Sequence, residues 1–442
     1  MMSRVRRTTE LGLIILGALI VVAAYTLASL GSDAVIPANL LPFLGIVLGL
    51  LLFAHLATRR LAPFADGLLL PLAALLNGIG YVMIARLAGE RGVSGDLPGL
   101  QATWTALGIA AYVGTLLFVP RVRDLQRYRY SIGVVGIVLL LLPLFPIIGR
   151  NIFGARIWIS IGPVNLQPGE FAKIALAIFF AGYLVEKRDL LRVATWRIGP
   201  LWLPEPKHLG PVVVAWGFSL VVMVFERDLG SSLLFFALFV VLIWIATERI
   251  SYLIISLVLF TGGAVAAWST FGHVKTRVNI WRNPWDSYLG EGRQLTESSF
   301  ALADGGLTGT GLGLGTPERI DVVESDFIFA AIGEELGLLG GTAVILCYLL
   351  FAGSGLRIAV RAEGAFEKLL AVGLTTLMAV QAFVIIGGII RIVPLTGITL
   401  PFVSYGGSSL LSNYVLLALL VRTSHEAETR TVQSTAHAVP AA

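Results

Sequence analysis

The sequence has little charge and almost no cysteine, two things that soluble globular proteins use freely. Only 13% of its 442 residues are Asp, Glu, Lys or Arg, while 56% are hydrophobic and the mean hydropathy is +0.85. Such a chain is solvated by lipid over most of its length. The single cysteine, Cys347, excludes an intrachain disulfide and a cysteine metal cluster. We therefore predict a polytopic membrane protein.

Apolar runs long enough to cross a bilayer recur along the whole chain. A span needs about 20 predominantly apolar residues. Twelve such segments are predicted, at residues 11–30, 40–57, 67–88, 102–119, 131–148, 171–185, 210–225, 229–247, 251–270, 328–351, 369–390 and 401–421. The first is too long for the apolar core of a signal peptide and is interpreted as a retained helix. The predicted fold is all-α.

Basic residues are concentrated in alternate loops, which predicts the orientation in the membrane. Loops rich in Lys and Arg face the cytoplasm, and the most basic stretches are 58–60, 120–130, 186–192 and 357–361. Both termini are then cytoplasmic, while the long polar loops 148–170 and 271–327 face outward. Residues 423–442 are predicted to be a disordered cytoplasmic tail. The basic excess is a sorting signal, and no nucleic-acid partner is expected.

Charged residues in or beside a membrane are candidates for a functional site. Glu170 and Lys173 share one face at the start of a predicted helix, as either a structural ion pair or part of a site. Asp228 belongs to a short charged turn between two apolar runs. Glu334 and Glu335 lie inside a predicted helix and must be protonated or partnered there. Partnering by a neighbouring helix and a proton or cation path are both open interpretations.

The outward loop 271–327 carries a polar stretch, "NPWDSYLGEGRQ", at residues 283–294. It combines Asp286 and Glu291 with Arg293, and Arg282 directly precedes it. Guanidinium groups suit bidentate recognition of pyrophosphate. A carboxylate can accept the proton of an attacking hydroxyl, although a solvated loop with surface charges gives the same pattern. Six glycines between 305 and 315 predict tight turns and close backbone approach.

Several motifs, in one order, resemble the SEDS family (shape, elongation, division and sporulation), which comprises RodA-, FtsW- and SpoVE-like proteins. They are "GARIWI", "QPGEFAK", "ERDLGSSLL", "RVNIWRNPW", "SFALADGGLTGTGLG", "SDFIFAAIGEELGLLG" and "PLTGITLPFVSYGGSSLLSNY". The resemblance covers roughly 130–422, and it implies a catalytic core at residues 131–422, preceded by N-terminal transmembrane helices at residues 1–130. Ten of the twelve predicted spans fit the family core, and the two additional N-terminal helices resemble an actinobacterial RodA-like branch.

The resemblance implies a peptidoglycan glycosyltransferase that polymerises lipid II into β-1,4-linked glycan outside the cytoplasmic membrane. The family has an essential aspartate in the outward loop, and an ungapped match places Ser287 at that position and Asp286 one residue early. Asp286 is the predicted general base, and Glu291 is the substitute. The alternatives are an impaired paralogue that binds lipid II as a scaffold, and a lipid II flippase.

Other matched positions receive roles from the resemblance. Residues predicted to contact the substrate are Arg156, Trp158, Lys173, Arg282, Arg293 and Glu291. Residues predicted to shape a polar cavity are Glu170, Asp228, Asp326, Glu335, Ser404, Tyr405, Gly406 and Ser408. The expected partners are lipid II, a class B penicillin-binding protein and membrane lipid. A divalent cation, Mg²⁺ or Mn²⁺, between pyrophosphate and carboxylate is chemically reasonable, but no ligand set in the sequence demands one.

Overall fold

The structure is a computed structural model that describes residues 2–35, 40–91, 96–152, 155–162, 164–192, 196–198, 201–203, 214, 217–218 and 221–438. The predicted span at 210–225 lies largely outside these residues. The helices of the described part are α1 Met2–Asp33, α2 Leu40–Leu61, α3 Leu69–Arg91, α4 Leu97–Phe118, α5 Arg123–Arg127, α6 Arg129–Leu141, α7 Gly169–Arg192, α8 Leu229–Thr247, α9 Ile250–Thr270, α10 Gly272–Arg282, α11 Arg293–Gly305, α12 Ile328–Arg361, α13 Ala365–Ile389 and α14 Gly407–Ala438.

Seven of the described helices are long and apolar enough to cross a membrane: α1, α3, α4, α8, α9, α12 and α13. Helices α2, α6, α7 and α14 overlap four further predicted spans. Two of the boundaries that differ from the prediction coincide with a proline or a turn. Helix α6 ends at Leu141, just before Pro143, and α14 begins at Gly407 because residues 401–405 form a turn. Proline has no backbone N–H to donate, so Pro143 cannot extend α6 without the loss of a helical hydrogen bond.

Two short antiparallel sheets lie in the connections between helices, which an all-α prediction omits. Strands β1 (Gly149–Ile152), β2 (Ala155–Ile161) and β3 (Val164–Leu166) pair in that order, and β4 (Trp196–Ile198) pairs with β5 (Leu201–Leu203). The alternating, β-branched and aromatic sequence of β2, "ARIWISI", is typical of a half-buried strand. The fold remains mostly helical.

Helix α12 is broken at Gly337, whose φ of 65° and ψ of −167° are not helical. The glycine-rich loop before α12 lies against this break. The amides of Thr310 and Gly311 donate to the carbonyls of Glu334 and Glu335, at 2.9 and 3.1 Å. The glycines at 306, 309, 311 and 313 have positive φ, as tight turns require. The loop thus satisfies backbone groups that the break releases inside the protein.

The long polar loop 271–327 is itself ordered around α10 and α11. Its two helices are separated by the acidic turn at residues 283–292, where Trp285–Ser287 form one turn of 3₁₀-helix. Pro284 lies before the 3₁₀ turn, and Gly290 and Gly292 lie after it. These residues prevent α10 and α11 from merging into one helix. The loop therefore presents a fixed turn between two helices.

The predicted disordered tail is instead helical as far as Ala438, because α14 continues past the predicted span. The beginning of this extension packs against other helices. Arg422 donates to the carbonyl of Leu61 at 2.7 Å, and Ser424 accepts the amide of Asp66 at 2.9 Å. These contacts order a stretch whose composition alone suggests solvation.

Candidate functional site

A buried polar network surrounds Lys173 near the start of α7. Its Nζ lies 2.5 Å from Oε2 of Glu170, 2.9 Å from Oε1 of Gln381 and 3.3 Å from Oδ1 of Asn413. Glu170 stands in the first turn of α7, where the helix dipole favours a negative charge. Lys173 follows one turn later on the same face. This arrangement favours the ion-pair interpretation of Lys173 over direct contact with a substrate.

The nonhelical stretch between α13 and α14 forms one wall of this network. Gln381 donates to the carbonyl of Thr399 at 2.8 Å, and the hydroxyls of Thr399 and Ser409 lie 2.7 Å apart. Ser408 accepts the amide of Gln167 at 2.9 Å, which joins α14 to the residues preceding α7. The carbonyl of Gln167 accepts the amide of Glu170 at 3.2 Å, so hydrogen bonds through Gln167 link the predicted cavity residues Glu170 and Ser408.

Ser404, Tyr405 and Gly406 lie in the same stretch, directly before α14. The Ser404 hydroxyl donates to the carbonyl of Ser325, and the Tyr405 amide donates to the carbonyl of Glu324 at 2.8 Å. Gly406 packs closely, since an added Cβ would lie 3.1 Å from the methyl group of Thr399. These residues hold the segment that leads into α12 against the wall of the network.

Asp326, Asp228 and Arg277 form a second charged group beside this wall. An added Cβ at Gly397 would lie 3.6 Å from Oδ2 of Asp326 and 3.7 Å from Nη1 of Arg277, so both side chains face one glycine. Burial raises the pKa of Asp326 to about 6, against the opposing effects of the Ser325 hydroxyl and the Arg277 charge.

Asp228 performs a recognisable structural task at the start of α8. Its carboxylate accepts the amide of Ser231 at 3.0 Å and its hydroxyl at 2.6 Å, which is an N-cap. Burial raises the pKa of Asp228, and these hydrogen bonds and the charge of Arg277 oppose the rise. The predicted cavity role of Asp228 therefore includes fixing the end of a helix.

Helix α10 is attached to the stretch that follows α13. Arg277 donates to the carbonyl of Leu395 at 2.9 Å, and the Trp281 indole donates to the carbonyl of Arg391 at 3.0 Å. Arg391 in turn donates to the carbonyls of Trp281 and Arg282, at 3.2 and 3.0 Å. The helix that precedes the acidic turn is therefore attached to the same wall that encloses Lys173.

Asp286 is exposed at the centre of the acidic turn. On one side of it, Trp285 packs edge-on against Phe300 with ring centroids 5.4 Å apart. On the other side, the hydroxyl of Tyr288 donates to Glu297 at 2.8 Å. Both contacts fasten the turn to α11, so Asp286 is an accessible carboxylate on a supported backbone.

Ser287 points differently from Asp286. Its carbonyl accepts the amides of Gly290 and Gly292, at 2.9 and 3.1 Å, and its half-buried hydroxyl lies near Gly292. A Cβ added at Gly292 would lie only 2.5 Å from that hydroxyl oxygen. The turn thus directs residue 287 inward and residue 286 outward. Glu291, the alternative base, is also exposed.

The other predicted substrate contacts lie at the protein surface. Arg156 is exposed on β2, and Trp158, two residues on, is half-buried and pairs in register with Arg150. The guanidinium of Arg282 lies 6.0 Å from the ring of Trp268, which is a cation–π distance. Arg293 is 4.0 Å from Asp321 and remains exposed. Arg282 and Arg293 flank the acidic turn.

Glu335 is partnered rather than part of an open path. Its carboxylate accepts Nε of Arg86 at 2.7 Å and the amide of Gly313 at 3.0 Å. The neighbouring Glu334 accepts the amide of Thr316 at 2.6 Å. Partnering from a neighbouring helix, one of the two interpretations, is the arrangement found for Glu335, whereas the Glu334 carboxylate is bound by the loop that precedes α12.

Several residues of the site are not among those predicted from the sequence. These are Arg86, Arg277, Gln381, Arg391 and Asn413. A lone amide in an apolar helix, as at Gln381, and an arginine inside a span, as at Arg86, were available signals. Within the described ranges, no three His, Cys, Asp or Glu side chains could together hold a metal ion. A divalent cation here would therefore need further ligands, for which pyrophosphate oxygens are suitable.

The fold and the site define a polytopic helical membrane protein with a buried polar network and an exposed acidic turn. The family profile for FtsW, RodA and SpoVE, described as "Cell cycle protein", matches residues 67–429, and the chain belongs to this family. The predicted membership is confirmed, as is the prediction of a polytopic helical membrane protein. The count of twelve spans stays a prediction.

Relatives extend the match over nearly the whole chain. Peptidoglycan glycosyltransferase RodA of Mycobacterium tuberculosis is 44% identical over 427 residues, which cover 96% of this chain and 91% of the relative. Stage V sporulation protein E of Bacillus subtilis is 34% identical over 84% of this chain and 99% of its own length. The greater identity to a mycobacterial protein named RodA confirms the actinobacterial RodA-like branch.

Two solved structures share the fold at lower identity. A chain from "Structural coordination of polymerization and crosslinking by a peptidoglycan synthase complex" superposes with a TM-score of 0.67 at 24% identity, covering 82% of this chain and 98% of that one. Thermus thermophilus rod shape determining protein RodA gives 0.57 at 22% identity, covering 82% and 97%. The family profile begins at residue 67, so α1 and α2 precede it.

Proposed function

We propose that this protein is a peptidoglycan glycosyltransferase that polymerises lipid II into β-1,4-linked glycan strands for cell elongation and shape. The observation that carries the proposal is the exposed carboxylate of Asp286, held on a supported turn after a helix that is attached to the wall of the buried polar network. The name of the 44%-identical relatives, peptidoglycan glycosyltransferase RodA, supports the same activity.

In the proposed reaction, Asp286 acts as the general base. It accepts the proton of the acceptor's 4-hydroxyl while that oxygen attacks the anomeric carbon of the donor. Undecaprenyl pyrophosphate leaves from the opposite face, which inverts the anomeric configuration. One positioned base is sufficient for such a displacement and contributes roughly 10²–10⁴-fold in rate. Exposure of Asp286 leaves it accessible to a large saccharide.

Arg282 and Arg293 are the proposed donors to the pyrophosphate. They flank the acidic turn, and both are exposed. A guanidinium matches the geometry of phosphate oxygens and stays charged at every relevant pH. Charge that develops on the leaving group would be stabilised by such fixed donors. Lys173 has three protein partners already, so we assign it to the network that supports the site.

We further propose that the acidic turn faces outside the cytoplasmic membrane, with both termini inside. The distribution of Lys and Arg supports this orientation. A class B penicillin-binding protein is the proposed partner, since the glycan made here has to be crosslinked. The fold shared with a chain of a peptidoglycan synthase complex is compatible with such an assembly.

A binding scaffold for lipid II is the second candidate. One observation favours it: the family's aspartate position is occupied by Ser287, whose side chain is turned inward. In that case lipid II would bind without being polymerised. Both candidates therefore bind lipid II, and only the glycosyltransferase polymerises it.

The test is polymerisation of labelled lipid II by the purified protein, alone and with its cognate transpeptidase. The unaltered chain is compared with Asp286→Ala and with Glu291→Ala, the matched variant of the other exposed carboxylate. We expect polymer from the unaltered chain and from Glu291→Ala, and none from Asp286→Ala. Loss with Glu291→Ala alone would move the base to Glu291. Binding without polymer from the unaltered chain would leave the scaffold.

A further inference from the structure

Helix α13 is followed by a residue in an unusual conformation, Arg391. The amides of Arg391 and Ile392 fold back to the carbonyls of Gly388 and Gly387, at 3.2 and 2.7 Å, which closes the last turn. Arg391 has a φ of 62°, in the left-handed region. Glycine usually occupies this position after a helix, because a Cβ is disfavoured there. An arginine at such a position indicates that its side chain has a task.

The side chain of Arg391 reaches the end of α10. Its Nη2 donates to the carbonyls of Trp281 and Arg282, the last two residues of that helix. The carbonyl of Arg391 receives the indole hydrogen of Trp281 in return, at 3.0 Å. A cation at the carboxyl end of a helix is favoured by the helix dipole. The two segments are therefore joined in both directions.

This junction stands directly before the acidic turn. Asp286 follows Arg282 by four residues, and the turn between them contains Pro284, which limits its backbone freedom. The direction in which α10 ends thus sets where the turn begins. Arg277 attaches α10 one turn earlier, through the carbonyl of Leu395. Without the Arg391 side chain, α10 would keep the bond from Arg277 and the bond from the Trp281 indole to the backbone carbonyl of residue 391, and would lose the two side-chain bonds to its last carbonyls.

We propose that Arg391 is a positioning residue for the glycosyl transfer: it fixes the end of α10 so that Asp286 is presented to the acceptor hydroxyl. The inference rests on the proposed function, in which Asp286 is the base. Arg391 does not itself contact substrate in this assignment. The Arg282 guanidinium keeps its own contact, 6.0 Å from the ring of Trp268, so the loss of Arg391 would reduce kcat and leave the binding of lipid II intact.

The substitution Arg391→Gly tests this role without adding strain, because glycine accepts the left-handed conformation freely. We expect kcat to fall at least tenfold, with KM for lipid II and the unfolding temperature nearly unchanged. Guanidinium chloride at millimolar concentration should restore part of the rate, since it can occupy the vacated site. Amide hydrogen exchange across residues 283–292 should become faster in the variant.

Arg249→Gly is the matched control. Arg249 also donates to the last carbonyl of a helix, that of Arg192 at 3.1 Å, but it directly precedes α9 and lies about 30 Å of helix away from the end that leads to α10. Arg249→Gly should have the same kcat as the unaltered protein and the same rate of amide hydrogen exchange across residues 283–292. Unchanged kcat and exchange in Arg391→Gly, with an active unaltered protein, would overturn the positioning role alone.

Two other results would also be decisive. If Arg391→Gly loses lipid II binding and unfolds at lower temperature together with its activity, Arg391 is only a structural residue and the inference is wrong. If the unaltered protein makes no polymer, the proposed function fails, and with it the link between Arg391 and catalysis. In that case the exchange measurement still reports whether Arg391 orders the turn.

Discussion

Nζ of Lys173 and Oε2 of Glu170 lie 2.5 Å apart with both side chains buried. Removing one member leaves an uncompensated charge away from water, which typically costs about 3–5 kcal/mol. Lys173→Met should therefore lower the unfolding temperature markedly. The double variant Glu170→Gln/Lys173→Met should recover much of the loss, because no charge is then left unpaired.

Thermal unfolding in detergent micelles measures both effects. Lys187→Met is the control, since Lys187 forms an exposed pair with Glu186 in the same helix. Surface pairs of this kind contribute little. A single variant as stable as the unaltered protein would show that the Lys173 pair contributes nothing to the fold.

Exchanging the residues at 286 and 287 should abolish polymerisation. In Asp286→Ser/Ser287→Asp the carboxylate would replace a hydroxyl that lies 3.5 Å from the carbonyl of Pro284 and close to Gly292. A carboxylate at this position would be repelled by the carbonyl oxygen of Pro284. We expect the exchanged protein to be as inactive as Asp286→Ala.

Ser287→Ala controls for the loss of the serine itself and should remain active in the lipid II assay. An exchanged protein with full activity would mean that the turn rearranges freely. The outward direction of residue 286 would then have no bearing on catalysis.

Stability should depend on pH through Asp326. Its pKa in the folded protein is about 6, against 3.8 for an ordinary aspartate. Because the folded-state pKa is raised, the fold binds this proton more tightly than the unfolded chain does. The contribution of this proton to the free energy of unfolding is complete below pH 3.8, the pKa of an ordinary aspartate, and is lost as the pH rises through about 6. It amounts to at most roughly 3 kcal/mol.

Asp326→Asn should remove this part of the pH dependence, because an amide does not titrate. The measurement is the unfolding temperature between pH 4.5 and 7.5, with the exposed Asp304→Asn as the control. Identical pH profiles for Asp326→Asn and the unaltered protein would contradict the raised pKa.

Gly337→Ala should be strongly destabilising. Its backbone has a φ of 65°, and an added Cβ would lie 2.3 Å from the amide nitrogen of Gly309 and 2.7 Å from the carbonyl of Leu307. Backbone atoms at such distances must move apart. We expect a loss of at least about 3 kcal/mol from strain and broken loop contacts together.

Gly341→Ala, one turn further along α12, is the matched control. A Cβ there would meet only the ring of Phe329, at 3.4 Å, in a helical conformation. It should be neutral or stabilising, since alanine favours a helix over glycine by about 1 kcal/mol. Equal unfolding temperatures for the two variants would argue against a rigid break at Gly337.

The sequence predicts well whatever depends on neighbours along the chain. The Glu170–Lys173 pair follows from a spacing of three residues on one helix, and the apolar spans follow from composition. The turns at Gly309 and Gly311 follow from the same local reasoning. Each of these features needs only the geometry of one element, so no knowledge of the tertiary fold is required.

Partners that are distant in sequence could not be predicted. Arg86 meets Glu335 across 249 positions, and Arg391 meets Trp281 across 110. A charge pattern indicates that Glu335 needs a partner, but packing decides which one. The inward direction of the Ser287 side chain depends likewise on hydrogen bonds within the turn. An ungapped sequence alignment cannot show these bonds.

Helix α14 runs without interruption for 32 residues, about 48 Å, from Gly407 to Ala438. Near one end, Ser408 receives the amide that precedes α7, and Ser412 donates to Glu170. Past its middle, Ser424 and Glu426 receive the amides of Asp66 and Val122. A helix of this length transmits force as a stiff rod, so the two sets of contacts cannot shift independently. A mechanical load applied at the carboxyl-terminal side would be delivered to the residues around Lys173.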